Sequence, residues 1–154
     1  MHSMVRPGTT IVAAILVLSL ANGAAIAGSA QEESNRKTVL DFYEKGLNQK
    51  DADAALAHVG DRYVQHNPNA ADGAEGFRKF IGFLREKFPN SRSEIKRSLV
   101  DGDFVILHVH AVREPGSRGN AIVDIFKLEN GKIVEHWDVV QPIAESPANN
   151  NTMF

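Results

Sequence analysis

The chain has 154 residues, a length that suits one domain, and its 43% hydrophobic content is ordinary for a globular protein. Its 17 Lys and Arg residues against 19 Asp and Glu residues give a net charge of −2, which argues against a general nucleic-acid-binding protein. The sequence contains no cysteine, which excludes a disulfide framework, a thiolate nucleophile and a Cys-ligated metal. Any nucleophile must therefore be an oxygen or a nitrogen atom.

Residues 1–30 have the pattern of an export signal. Arg6 is the only charged side chain in this stretch, and an apolar run over residues 11–20 follows it. Small residues then provide A-x-A-like cleavage sites after Ala27 or after Ala30. The apolar run is short for a membrane-spanning helix, which needs about 20 apolar residues. We therefore expect export to the periplasm or the medium, with no membrane attachment once the signal is cleaved.

Apolar residues recur at helical spacing in the N-terminal half of the mature chain. Ser34 is placed to cap a first helix, and Asp51 is placed to begin a second, shorter one. The strongest amphipathic pattern covers residues 77–88. Asp72 and Glu75 precede it with the spacing of a capping pair, so we expect them to start this third helix.

The periodicity changes to that of strands in the C-terminal half. Four runs at about residues 92–100, 103–113, 120–129 and 132–141 are separated by hairpin signals, and a short extended piece precedes the third helix. Helices followed by strands predict an α+β fold with an antiparallel meander. The predicted organisation is a signal (1–30), one domain (31–142) and an irregular C-terminal arm (143–154).

Polar side chains inside two of these runs are the first candidates for chemistry. His108 and His110 share one face of their strand, and Asp124 interrupts an apolar face of the next, where an unpaired carboxylate would be costly. If Arg113 pairs with Gly119, His108 lies opposite Asp124 within contact reach. An apolar pocket strengthens a carboxylate as a base, and an imidazole can hold or deliver a proton. The alternative is an ion pair that only supports the sheet.

The register of the last hairpin is open. If Asn130–Gly131 is a two-residue loop, Asp124 faces Trp137. If the loop has three residues and a bulge, Asp124 faces His136, and Asp138 joins the same face. The sequence does not choose between these arrangements, which place different residues in the site.

The remaining candidates follow the short extended piece. His66, with Asn67 beside it, could reach a pocket mouth, or it could be a loop histidine without a role, and the spacing favours neither interpretation. A metal site built on His108 and His110 with His66 or His136 lacks a fixed ligand spacing, so we expect no metal and no cofactor. The expected substrate contacts are His66, Asn67, His110, Phe126, His136, Trp137 and Asp138.

Four segments of the chain resemble the SnoaL-like polyketide cyclase family, and within it the branch described as predicted SnoaL-like aldol-condensation enzymes. They read YVQHNP at 63–68, DGAEGF at 72–77, DIFK at 124–127 and NGKIVEHWDVVQ at 130–141. The resemblance implies an NTF2-like cone, in which N-terminal helices pack on a curved antiparallel sheet that encloses a pocket. It also implies a homodimer formed through the outer face of that sheet.

The resemblance extends to chemistry. In cyclases of this family an Asp on the strand that matches Asp124 acts as a general base on an acidic carbon, and strand histidines, here His108 or His110, help to stabilise the enolate. The expected function is cofactor-independent aldol-type cyclisation or isomerisation of a small carbonyl compound, with Asp124 and His108 as catalytic residues. The alternative is a non-catalytic module that binds a small apolar molecule. The apolar outer face expected for the dimer consists of Val105, Leu107, Val109, Val123 and Ile125.

Overall fold

The computed structural model describes residues 21–154, so residues 1–20 of the predicted export signal lie outside the described part of the chain. Helix α1 (Ala21–Tyr43) passes through both predicted cleavage sites and runs directly into a π-helical turn at Glu44–Asn48. Ser34 is therefore inside the helix, and the prediction that it caps α1 is wrong. Across residues 21–154, no helix combines the length and apolar character needed to cross a membrane.

Two further helices follow, α2 (Ala52–Leu56) and α3 (Gly73–Lys87). Asp51 caps α2 as predicted, since its carboxylate accepts a backbone N–H three residues along the chain at 3.0 Å. Asp72 stands at the N-cap position of α3 but makes no capping bond there. Its carboxylate accepts the backbone N–H of Gln65 at 2.7 Å instead, which ties the loop to the preceding strand. The predicted capping pair is therefore wrong.

Five strands form one curved sheet. They are β1 (Val59–Gln65), β2 (Arg92–Asp101), β3 (Phe104–Val112), β4 (Asn120–Glu129) and β5 (Lys132–Pro142), in the order β1-β5-β4-β3-β2. The predicted meander of β2 to β5 is confirmed, but β1 pairs parallel with β5, so the sheet is mixed rather than wholly antiparallel. Helix α3 carries the chain from β1 to the opposite edge, and the meander then returns to β1.

The β3–β4 register differs from the predicted one by one residue. Leu107 lies across from Asp124, and His108 lies across from Val123. Gly119 has φ of +76°, a left-handed conformation that suits glycine, and it remains in the loop, so the ladder begins one residue later than expected. A one-residue shift moves a side chain to the other face of a sheet, so the predicted pairing of His108 with Asp124 is wrong.

The β4–β5 hairpin combines a two-residue turn with a bulge. Asn130 and Gly131 have φ values of +52° and +73°, as a type I′ turn requires. Strand β5 then contains Val134 as an extra residue, because the register shifts between the two ladder pairs on either side of it. Asp124 consequently lies across from Asp138. Neither of the two open registers is the observed one, although the second placed the correct residues on the face of Asp124.

The inner face of the sheet packs on the helices and forms the core. Val105, Leu107 and Val109 are fully buried on this face, together with Phe126 of β4 and Phe42 of α1. The prediction that the three β3 residues belong to the exposed outer face is wrong for the same one-residue reason. The outer face carries Ile106, His108, His110, Val123, Ile125, Trp137 and Val139.

Candidate active site

A cavity of about 630 Å³ lies between α1, α3 and the inner face of the sheet. This volume is within the range of small-molecule sites, roughly 300–1,000 Å³. Its walls are mainly apolar, with aromatic side chains from both helices. One group of polar side chains interrupts them, which we name the polar cluster: Tyr43, Tyr63, Gln65, Asn67, Asp124, His136 and Asp138.

Asp124 is at the centre of the polar cluster and is only 5% exposed. Its Oδ2 accepts a hydrogen bond from the Tyr43 hydroxyl at 3.0 Å, and its Oδ1 lies 3.0 Å from Nε2 of His136. Burial, followed by the negative charge of Asp124, raises the pKa of Tyr43 well above its usual value. The Tyr43 hydroxyl therefore keeps its proton at physiological pH and remains a donor to the carboxylate.

The protonation of His136 follows from its second partner. Nδ1 of His136 is 2.9 Å from Oε1 of Gln65, and the backbone N–H of Asn67 donates to the same oxygen at 3.0 Å. This backbone donor fixes the orientation of the Gln65 amide, so Nδ1 must carry a proton and donate it. The contact between Nε2 and Oδ1 of Asp124 then requires one further proton. The Asp124–His136 pair therefore holds one proton inside the cavity, either as carboxylate and imidazolium or as carboxylic acid and neutral imidazole.

Asp138 brings a second carboxylate to the same face. The amide of Asn67 donates to both of its oxygens, at 2.8 and 2.7 Å, which compensates part of its negative charge. Ligand atoms of Asp124, His136 and Asp138 lie within 4.8 Å of one another, a spacing at which carboxylate and imidazole groups could hold a cation. Each of the three side chains is already hydrogen-bonded to a protein partner.

His66 and Trp137, two predicted substrate contacts, are on the outer face of the sheet. Their rings stack with centroids 4.4 Å apart and planes inclined by 4°. Nε2 of His66 is 3.2 Å from the Glu135 carboxylate, and this bond lowers the pKa of Glu135. Neither aromatic ring lines the cavity.

The predicted strand histidines, His108 and His110, also lie on the outer face. Arg97 donates to Nδ1 of His108 at 2.9 Å, and Nε2 of His110 donates to the Arg118 carbonyl at 2.8 Å. The ring of Phe154, from the C-terminal arm, lies 5.2 and 4.7 Å from the two imidazoles. The predicted acid–base pair of Asp124 with His108 is therefore wrong, and His136 occupies that place. Of the predicted site residues, the cavity brings together Asn67, Asp124, Phe126, His136 and Asp138.

The sequence matches the model of the SnoaL-like domain over residues 39–136, which is more than half of its length. The chain belongs to the SnoaL-like family. The matched segment contains Tyr43, Gln65, Asp124 and His136, and ends just before Asp138.

Solved structures that resemble this SnoaL-like chain share its fold. An uncharacterised cystatin-fold protein from Novosphingobium aromaticivorans is 22% identical, with a TM-score of 0.60 over 68% of this chain and 97% of that one. A candidate polyketide cyclase from Acidithiobacillus ferrooxidans is 16% identical, with a TM-score of 0.59 over 70% and 87%. A candidate SnoaL-like polyketide cyclase from Jannaschia sp. CCS1 is 22% identical, with a TM-score of 0.56 over 71% and 86%. No curated protein matches the chain. The predicted NTF2-like fold is confirmed.

Three members of the polar cluster in this SnoaL-like site, Tyr43, Tyr63 and Gln65, are not among the site residues predicted from the sequence. The ring of Tyr43 is buried in the core and packs against Phe126, while its hydroxyl reaches Asp124. Tyr63 and Gln65 belong to the segment YVQHNP, and nothing in that segment indicates the bond of Gln65, the last residue of β1, to His136. A buried tyrosine hydroxyl needs a partner, so the face of α1 that carries Tyr43 was the available signal.

Proposed function

We propose that this SnoaL-like protein is a cofactor-independent acid–base enzyme that acts on a small, mainly apolar carbonyl compound held in the cavity. Asp124 is the general base that removes a proton from the carbon next to the carbonyl group. The reaction class is aldol-type cyclisation or isomerisation. The observation that supports this most directly is a buried carboxyl group bonded to both Tyr43 and His136 in a mainly apolar cavity.

The proposed reaction begins with the pair in its carboxylate–imidazolium form. The substrate C–H bond breaks, its proton bonds to an oxygen of Asp124, and the electron pair moves to the carbonyl oxygen as an enolate. The imidazolium of His136 or the hydroxyl of Tyr43 stabilises that negative charge by hydrogen bonding. In an isomerisation the proton returns to another carbon. In an aldol closure the enolate carbon attacks a second carbonyl, and the resulting alkoxide takes the proton from Asp124.

Hydrogen–deuterium exchange tests this proposal without knowledge of the natural substrate. Aryl ketones and 1,3-diketones are incubated with the protein in D₂O, and the loss of the α-proton signal is followed by NMR. General base catalysis contributes about 10²–10⁴-fold, so Asp124→Asn should slow exchange by at least about 100-fold. His108→Gln is the matched control, because His108 lies on the outer face and should leave exchange unchanged. Equal exchange in wild type and Asp124→Asn would contradict the proposal.

A binding module without chemistry is the second candidate. Both carboxylate oxygens of Asp124 have protein partners, which is also what a purely structural buried carboxylate requires. Under this alternative, no carbonyl compound exchanges faster than in buffer, and Asp124→Asn still binds apolar ligands as wild type does. Ligand titration of the two proteins beside the exchange assay therefore separates the candidates.

We further propose that two copies associate through the outer face of the sheet. Phe104, Val123 and Val139 are 40%, 38% and 69% exposed there. Exposed apolar patches of this kind usually mark an interface, and Trp137 adds an aromatic surface beside them.

Export remains our proposal for residues 1–30, supported by their charge, apolar run and small residues. Expression of the full chain, followed by N-terminal sequencing of the protein recovered outside the cytoplasm, would detect cleavage after Ala27 or Ala30. Recovery of the uncut chain in the cytoplasm alone would contradict it.

A further inference from the structure

The charged residues that line the cavity are segregated by sign. Both lining carboxylates, Asp124 and Asp138, belong to the polar cluster. The lining cations are Lys79, Arg92 and Arg113, and all three are exposed, which places them at the mouth. This opening is therefore locally positive, although the whole chain has a net charge of −2.

Separate elements supply the three cations. Lys79 comes from α3, and Arg92 is the first residue of β2. Arg92 pairs with Val112, so the β2–β3 ladder brings Arg113 to the same end of the sheet. The Arg113 guanidinium lies over two aromatic rings, 6.0 Å from the ring centre of Phe80, which lines the cavity, and 5.7 Å from that of Phe88 at the end of α3.

These cations are not neutralised by the protein itself. Among the residues that the structure describes, no carboxylate lies within 4.0 Å of the side-chain nitrogens of Lys79, Arg92 or Arg113. Two other exposed cations of α3 are paired, Arg78 with Asp53 at 2.6 Å and Lys87 with Glu86 at 2.7 Å. Like charges that gather at a cleft with apolar walls attract and orient a ligand of the opposite charge.

We propose that the substrate carries a negatively charged group, such as a carboxylate, which Lys79, Arg92 and Arg113 bind at the mouth while the reacting carbonyl lies at Asp124. This inference rests on the proposed function for its reacting end, and on the cations alone for its charged end. An apolar carbonyl compound with an anionic tail fits the whole cavity, because its middle meets the aromatic walls.

The charged end is testable by binding alone. The probes are 8-anilinonaphthalene-1-sulfonate and N-phenyl-1-naphthylamine, which share a ring framework but differ by one sulfonate. In Arg92→Gln/Arg113→Gln the ratio of their dissociation constants should move against the anion by about two- to thirtyfold, since two exposed ion pairs together contribute roughly 0.4–2 kcal/mol. Added salt should reduce the wild-type preference.

The matched control is Arg85→Gln/Lys87→Gln, which removes the same charge from the end of α3 outside the cavity lining. It should keep the wild-type ratio. If both double variants change the ratio equally, the effect is general charge, and the proposed anion site is overturned.

Turnover separates this inference from the proposed function. The exchange assay is run with 4-acetylbenzoate and with its neutral methyl ester. We expect a KM for the acid about two- to thirtyfold lower than for the ester, and a loss of that preference in Arg92→Gln/Arg113→Gln. Equal KM values for acid and ester, with exchange still abolished by Asp124→Asn, would overturn the anionic substrate and leave the function intact. An exchange rate that Asp124→Asn leaves unchanged would overturn the proposed function. In that case, a wild-type preference for the anionic probe that Arg92→Gln/Arg113→Gln removes would still support the anion site.

Discussion

Replacing Asp124 by Asn or by Leu should affect stability very differently, although both changes remove the charge. In wild type the carboxyl group of Asp124 accepts from Tyr43 and shares one proton with Nε2 of His136. Asn can replace this arrangement without an unpaired group: its carbonyl accepts from Tyr43, and its amide donates to Nε2 of a neutral His136, whose Nδ1 still donates to Gln65. Leu has neither a hydrogen-bond donor nor an acceptor, so the Tyr43 hydroxyl and Nε2 of His136 lose their partner.

The magnitudes follow from counting these groups. Asn keeps every bond and loses only charge assistance, about 1 kcal/mol per bond, offset by the removal of a buried charge. Leu leaves two buried polar groups unpaired at about 1–3 kcal/mol each, offset in part by about 1.5–3 kcal/mol from its own burial. We expect Asp124→Leu to be less stable than Asp124→Asn by about 1–3 kcal/mol.

Urea unfolding followed by circular dichroism measures that difference, and ¹⁵N NMR of His136 reports its proton. Wild type should show a proton on Nδ1 and a second one at or near Nε2, whereas Asp124→Asn should keep only the first. A Leu variant as stable as the Asn variant would refute the hydrogen-bond network as the reason for the burial of Asp124. An unchanged ring spectrum in Asp124→Asn would refute the shared proton.

Three further predictions concern the scaffold. Gly76→Ala should lower the free energy of unfolding by about 1–3 kcal/mol, because its Cβ would meet a backbone carbonyl of the loop before α3. Gly82→Ala has open space around it and should raise the free energy of unfolding by about 1 kcal/mol. Thermal unfolding measures both changes. Burial, and then the charge of a neighbouring lysine, lower the pKa of His58 below its usual 6.5. The stability that neutral His58 contributes is therefore present above about pH 6.5 and is lost as pH falls through its folded-state pKa. Between about pH 7.5 and about pH 5.5, the Tm of His58→Gln should therefore decrease less than the Tm of wild type. Val123→Lys/Val139→Lys should be monomeric in light scattering at concentrations where wild type is dimeric, and an unchanged mass would contradict the proposed interface.

The element types could be predicted because their causes are local. Helix α3 follows from apolar spacing between Phe77 and Leu84, and each hairpin of the meander has a turn signal. The parallel pairing of β1 with β5 could not be predicted, since it joins segments about 70 residues apart and leaves no mark in either one. The predicted antiparallel sheet was therefore wrong only at the strand whose partner is distant.

The site itself was harder to predict than the fold, because strand faces alternate with every residue. Asp124 could be identified as a site residue because it is a polar residue on an apolar strand, and this prediction does not depend on which residue lies across from it. The prediction for His108 depended on the register of the β3–β4 ladder. Because Gly119 stays outside that ladder, the register shifts by one residue and His108 lies on the opposite face from Asp124. Lys79, Arg92 and Arg113 come from separate elements, so no sequence spacing could show that they share one opening.

Two local irregularities, a bulge in β5 and the π-helical turn after α1, determine the hydrogen-bond partners of Asp124. Without the extra residue Val134, the two-residue turn would put Trp137 across from Asp124 and turn His136 outward. The π-helical turn that follows α1 begins directly after Tyr43, and the Asn48 side chain within it bonds the backbone of Ser93 in β2 at 2.8 and 3.0 Å. That bond anchors the end of α1 beside the sheet, where the Tyr43 hydroxyl reaches Asp124. Both partners of the carboxylate are thus positioned by departures from regular geometry, which bulges and π-turns commonly supply at functional sites.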